Sequence, residues 1–150
     1  MARAAASIVT NVSTTVRNPG IAAARVKKIV AATLASERIA NAMISVSFVG
    51  RTAIARMNQE YLGHAGATDV ISFGMGRDTP RMPAIGDIYI CPDVARANAR
   101  RAGVPVGQEL TRLVVHGLLH VTGHDHPDDD SRTRSLMWKR QERIVASIDR

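Results

Sequence analysis

The chain has few of the residues that mark several common protein classes. Its single cysteine, Cys91, excludes a disulfide scaffold, and a reducing, cytoplasmic setting is expected. One Trp, two Tyr and two Phe are too few for the stacking platform on which single-strand-binding domains lay successive bases. No run of ~18 apolar residues occurs, so no membrane span is expected. Near the N-terminus Thr10, Asn11, Ser13, Thr14, Thr15 and Arg17 interrupt the small apolar residues, and no signal-peptide core is read there. Internal repeats, low-complexity tracts and dividing linkers are absent, so residues 1–150 read as a single domain, and 45% apolar content supports a globular one.

Acidic residues are in deficit as well, 13 against 20 basic ones, for a net charge of +7. Lysine is scarce: Lys27, Lys28 and Lys139 stand beside 17 arginines. Guanidinium groups bind phosphate in two-point contacts and stack on bases, so the composition fits a nucleic-acid partner. A GC-rich coding sequence or plain solubility would give the same excess of Arg.

What the chain does have is concentrated in one stretch. His116 to His126, HGLLHVTGHDH, holds four of the five histidines. His116 and His120 are four apart, so on a helix they share one face a turn from each other. Gly123 allows a left-handed turn that brings the chain back, and His126 then completes a set of three. The spacing HxxxHxxGxxH is that of metzincin zinc sites, where three neutral imidazoles bind the ion and a fourth position stays open. His124, in the turn itself, is the alternative to His126 as third ligand. Cys91 lies in an apolar strand pattern and is a poor fourth ligand, which favours the open kind of site. Where the zinc peptidases carry a Glu beside their first His as general base, this chain has Gly117.

Periodicity supplies the surroundings. Strands are expected around Ile8, Val9 and Val12, at Ile44 to Phe48, at Thr68 to Phe73 and at Ile85 to Cys91. Helices are expected at Ile21 to Ala35, Arg51 to Leu62, Asp93 to Ala102 and Val106 to His120. A last helix is expected from Asp128 to about Ile148, with three Asp residues favoured at its positive end. Arg77 to Pro83 reads as a surface loop and a flexible flap. The fold class is α/β (α+β): four strands in one small sheet, about five helices, and a buried metal-bearing helix near the C-terminus.

The stretch HGLLHVTGHDH resembles the signature HGxLHxxGYDH of the YbeY family of bacterial endoribonucleases. Asn58, Tyr61, Gly63, the run TDVISF and Gly86-Asp87-Ile88 agree with further family motifs in order. The resemblance covers about Val46 to Glu142. It implies that His116, His120 and His126 hold a metal, with His124 where the family has Tyr. It also implies a cytoplasmic, metal-dependent, single-strand-specific RNA hydrolase acting in ribosomal RNA maturation and ribosome quality control. The implied partners are ribosomal RNA and the small ribosomal subunit, with no DNA and no membrane. Leu62 stands where many members have an Arg that faces the cleft, and Arg51, Arg56, Arg77 and His64 are the substitutes open to this chain.

Zinc suits three nitrogen ligands, with nickel or iron as alternatives. The ion would polarise a phosphoryl oxygen and lower the pKa of its water toward ~7 for attack on phosphorus. Asp125, His124 and His64 are candidates for the proton donor, and Asp125 also for a carboxylate that orients a ligand His. Thr68, Asp69, Asp87 and Arg56 are candidates for substrate binding. Three other functions are compatible with the residues: an RNA- or ribosome-binding assembly factor with a structural zinc, a hydrolase of small molecules, and an amide hydrolase, which would need a Glu at position 117.

Overall fold

Alternation of apolar and polar side chains builds the strands, and recurrence at three and four builds the helices. The computed structural model describes residues 6–127 and 129–148. In order it contains β1 (Ser7–Thr14), α1 (Ala23–Ser36), β2 (Asn41–Phe48), α2 (Arg51–Leu62), β3 (Val70–Gly74), β4 (Ala84–Ile90), α3 (Pro92–Ala102), α4 (Val106–Val121), a 3-10 turn (Asp130–Arg134) and α5 (Leu136–Ile148). The strands form one mixed sheet in the order β1-β2-β4-β3. The pairs β1–β2 and β2–β4 are parallel, and β3 runs antiparallel to β4 at the edge. This is the expected α+β class.

Alternation decides which face is covered. Ala42, Ile44, Val46 and Phe48 of β2 and Ala84, Ile88 and Ile90 of β4 are buried in one core with α1, α4 and α5. The intervening side chains face the other way, where Ile54 of α2 closes a smaller cluster with Val49, Ile71 and Cys91. Cys91 is wholly buried there and is not among the residues grouped with the histidines.

α4 lies at the centre. Leu110, Val114, Val115, Leu118 and Leu119 are fully buried, and removing each from water stabilises the fold by about 1.5–3 kcal/mol. The helix can press on the sheet because glycine stands where the two meet. A Cβ on Gly117 would come within 2.8 Å of Ile88 Cγ2, and one on Gly86 within 2.5 Å of Val121 Cγ1. Position 117 is thus turned to the sheet, and the Glu that an amide hydrolase needs has no room there.

The final helix differs from expectation. Asp128 lies outside the described residues, and the helix begins only at Leu136. Asp129 instead caps the 3-10 turn, accepting from the Ser131 N–H at 2.9 Å. These bonds from the Ser131 hydroxyl and N–H hold the Asp129 carboxyl below its ordinary pKa. Ser135 is extended, and its Oγ accepts from Trp138 N at 3.2 Å as the cap of α5. Short polar side chains captured the local backbone before a helix could run through it.

Gly117→Ala tests the close approach. In an open helix the change would stabilise by about 1 kcal/mol, but overpacking against buried Ile88 costs about 1–3 kcal/mol. A net loss of stability in urea unfolding is expected; a gain would show that the helix does not rest on Ile88.

Candidate metal centre

α4 stops at Val121 and the chain reverses. Gly123 has φ +108°, a conformation side chains other than glycine rarely adopt. The N–H groups of Gly123 and His124 return to the carbonyls of His120 and Leu119 at 3.1 and 2.9 Å. This is the Schellman closure. It carries His126 back over the helix, so the ring centroids of His116, His120 and His126 lie 4.7, 5.0 and 4.9 Å apart.

An oxygen able only to accept stands at Nδ1 of every ring. Gln141 Oε1 is 2.6 Å from His116 Nδ1, the His124 carbonyl is 3.1 Å from His120 Nδ1, and the Pro127 carbonyl is 2.9 Å from His126 Nδ1. Each neutral imidazole therefore donates from Nδ1 and leaves its lone pair on Nε2. His116 Nε2 and His126 Nε2 face each other at 3.3 Å. Two lone pairs cannot bond to one another, whereas a cation can take both. A tetrahedral ion about 2.0–2.1 Å from its nitrogens needs them about 3.3–3.4 Å apart. Ligand atoms of all three side chains lie within 4.8 Å of one another, so the donor set fits a divalent metal.

The supports extend beyond the rings. Gln141, buried on α5, passes its amide to Glu142 Oε2 at 3.3 Å, and Glu142 pairs with Arg112 at 2.9 Å. Arg112 also meets Glu109 at 3.2 Å, where burial raises the Glu109 carboxyl above its ordinary pKa. The His124 ring bonds to Glu37, which Arg140 Nη1 also reaches at 2.8 Å. That ring ties the turn to α1 and α5. Asp125 does not orient a ligand ring: its Oδ1 accepts from the backbone N–H of His126 at 2.8 Å, and a carbonyl takes the ring.

The histidines open into a cleft of about 660 Å3, which is also lined by Leu62, His64, Thr68, Asp69, His124, Asp125 and Arg132. Asp69 is fixed there by Val70 N at 2.8 Å and Asn98 Nδ2 at 3.1 Å. Asp87 and Arg56 lie apart from the cleft, in a depression with Tyr61, Phe73 and Tyr89. Arg51 pairs with Asp93 at 3.4 Å, and Arg77 belongs to the β3–β4 loop, which borders Thr122 and Gly123. Sequence reasoning missed Gln141, Glu37 and Arg132. For Gln141 a signal existed, a polar residue within the apolar stripe of Met137, Ile144 and Val145.

The profile described as Endoribonuclease YbeY matches residues 9–149. The chain belongs to the YbeY family. A relative named Endoribonuclease YbeY from Frankia alni is 37% identical over 118 residues, covering 72% of this chain and 64% of its own length. Another of that name from Anaeromyxobacter is 42% identical over 105 residues, 70% of this chain and 55% of its own. The chain thus spans about three-fifths of the length of these YbeY relatives. A solution structure from Thermotoga maritima shares the fold, with a TM-score of 0.63 at 24% identity over 93% of this chain and 89% of that one.

Burial, opposed in part by the Gln141 bond and reinforced by the neighbouring imidazoles, lowers the His116 pKa from 6.5 to about 4. Between those values the unfolded chain binds a proton that the folded, metal-free protein refuses. The His116 contribution to stability is therefore complete above 6.5 and is lost as the pH falls to 4. Histidine NMR of the metal-free protein should find His116 titrating near 4, and a midpoint at 6.5 or above would contradict its burial. Gln141→Leu, which removes the acceptor at Nδ1, should weaken metal binding by about 10–100-fold in a competitive chelator titration. Unchanged affinity would show that Gln141 does not support His116.

Proposed function

We propose that the chain is a zinc-dependent, single-strand-specific endoribonuclease. It acts in the cytoplasm on ribosomal RNA, in maturation and quality control involving the small ribosomal subunit. The observation that carries this reading is the convergence of three imidazoles, with ligand nitrogens within 4.8 Å of one another, inside an open cleft of a strongly basic chain. Its relatives in the YbeY family bear the name endoribonuclease.

His116, His120 and His126 would hold the ion through Nε2. Zinc on three neutral ligands keeps its full double charge, and supplies Lewis acidity toward phosphoryl oxygen and a lowered pKa for water. The chain's own groups do the rest. Gln141 and the carbonyls of His124 and Pro127 hold the neutral imidazoles in the Nδ1–H form, which leaves the lone pair on Nε2. Leu62 and Val70, Ile71 and Ser72 of β3 line the same cleft. His64, exposed and among the residues lining the cleft, would give a proton to the departing ribose oxygen, with Asp125 as the second carrier. His124, tied to Glu37, holds the turn.

A purely structural zinc would require a fourth protein ligand, and the group of ligating residues among the described residues has three. A chain of net charge +7 suits an anionic strand better than a peptide, and position 117 has no room for the peptidase Glu.

The test joins metal content to cleavage of structured ribosomal RNA in the same samples of wild type and His120→Ala. About one zinc per chain is expected in the wild type, with both metal and cleavage lost in the variant. Cleavage that survives metal loss would overturn the proposed function, as would metal binding without cleavage in the wild type.

A further inference from the structure

Beside His116 a second cavity of about 300 Å3 adjoins the cleft. That is the size at which small-molecule sites begin, ~300 Å3. Asp69, Val70, His116 and Arg132 line both spaces, so Arg132 stands where one passes into the other. Its guanidinium carbon is 5.9 Å from the ring centroid of Trp138, the chain's one tryptophan, which lines the inner cavity. Arg132 has no carboxylate partner among the described residues, unlike Arg51, Arg96, Arg112 and Arg140. It is also the one Lys or Arg among the described residues that lines the histidine cleft.

The inner wall is polar and hydrogen-bonded. Glu109 shares Arg112 with Glu142, and Asp69 accepts from Asn98 Nδ2 at 3.1 Å. At the entrance stands Arg132, a cation with no carboxylate partner among the described residues, and the Trp138 ring is beside it. Phosphate seeks the first, and a nucleobase stacks on the second.

We propose that this cavity is a nucleotide subsite: Arg132 takes the phosphate at the cleft's edge, and the attached nucleoside enters the cavity against Trp138. The proposal rests on the reading of the cleft as an RNA site and adds a reason for single-strand preference. A base must leave its stack to enter, which costs little in a single strand and more in a duplex. The subsite also supplies, from the turn before α5, the cationic group that Leu62 does not.

Because Trp138 is the only tryptophan, its fluorescence reports on the cavity. Zinc-loaded wild type, Arg132→Ala and Arg132→Lys are titrated with uridine 3′-monophosphate and, separately, with inorganic phosphate. RNA cleavage is assayed on the same samples, and circular dichroism checks the fold. A saturable change in emission with the nucleotide is expected. It should be roughly tenfold or more weaker in Arg132→Ala, partly restored in Arg132→Lys, and weaker again with phosphate alone. An Arg132→Ala affinity equal to wild type, or a phosphate response equal to that of the nucleotide, would overturn the subsite. Wild type that cleaves RNA while Trp138 ignores the nucleotide would sink the subsite and leave the proposed function standing. Arg132-dependent nucleotide binding without cleavage would do the reverse.

Discussion

Three imidazole nitrogens with their lone pairs turned toward one another form an arrangement that repels itself unless a cation shares it. His116 Nε2 and His126 Nε2 meet at 3.3 Å, and each ring is held in that pose by an acceptor at Nδ1. The rest of the structure can be understood as the means of holding those rings in place. Burial of α4 on both sheet and helices fixes two of them, and the closure at Gly123 fixes the third. The cost of desolvating His116 appears as its reluctance to take a proton, which suits a ligand that must stay neutral.

Positioning reaches further than the rings. The bonds from Gln141 through Glu142 and Arg112 to Glu109 join α5 to α4 behind His116. Glu37 gathers His124 and Arg140, and so binds the turn after α4 to α1 and α5. Both sets are ionic and partly buried, where losing one partner leaves the other's charge uncompensated. Both also lie near the cleft, so they couple the rigidity of the helical layer to the geometry of the site.

Much of this was legible in the residues. The alternation in Ile44, Val46 and Phe48 marks a strand with one buried face, and the spacing of His116, His120 and Gly123 marks a helix with a turn after it. Such signals are local, and local patterns survive folding. Sheet order was not legible, because parallel pairing of β1, β2 and β4 depends on crossovers that leave no mark on any one strand. The partner of Asp125 was not legible either, because its carboxylate accepts from the N–H of the following residue and not from an imidazole. The start of α5 was missed because Asp129 and Ser135 each captured nearby backbone groups. Which arginine meets the histidines is set by the three-dimensional path of the chain, so that Arg132, and not Arg51, Arg56 or Arg77, lines the cleft with them.

The most direct test is anomalous diffraction at the zinc absorption edge, from crystals of the protein purified with the metal it acquires in the cell. One peak per chain is expected, bonded to Nε2 of His116, His120 and His126, with Gln141 and the two carbonyls still at Nδ1. A peak bonded through Nδ1, one that includes a fourth protein side chain, or no peak at a well-ordered triad would contradict the account.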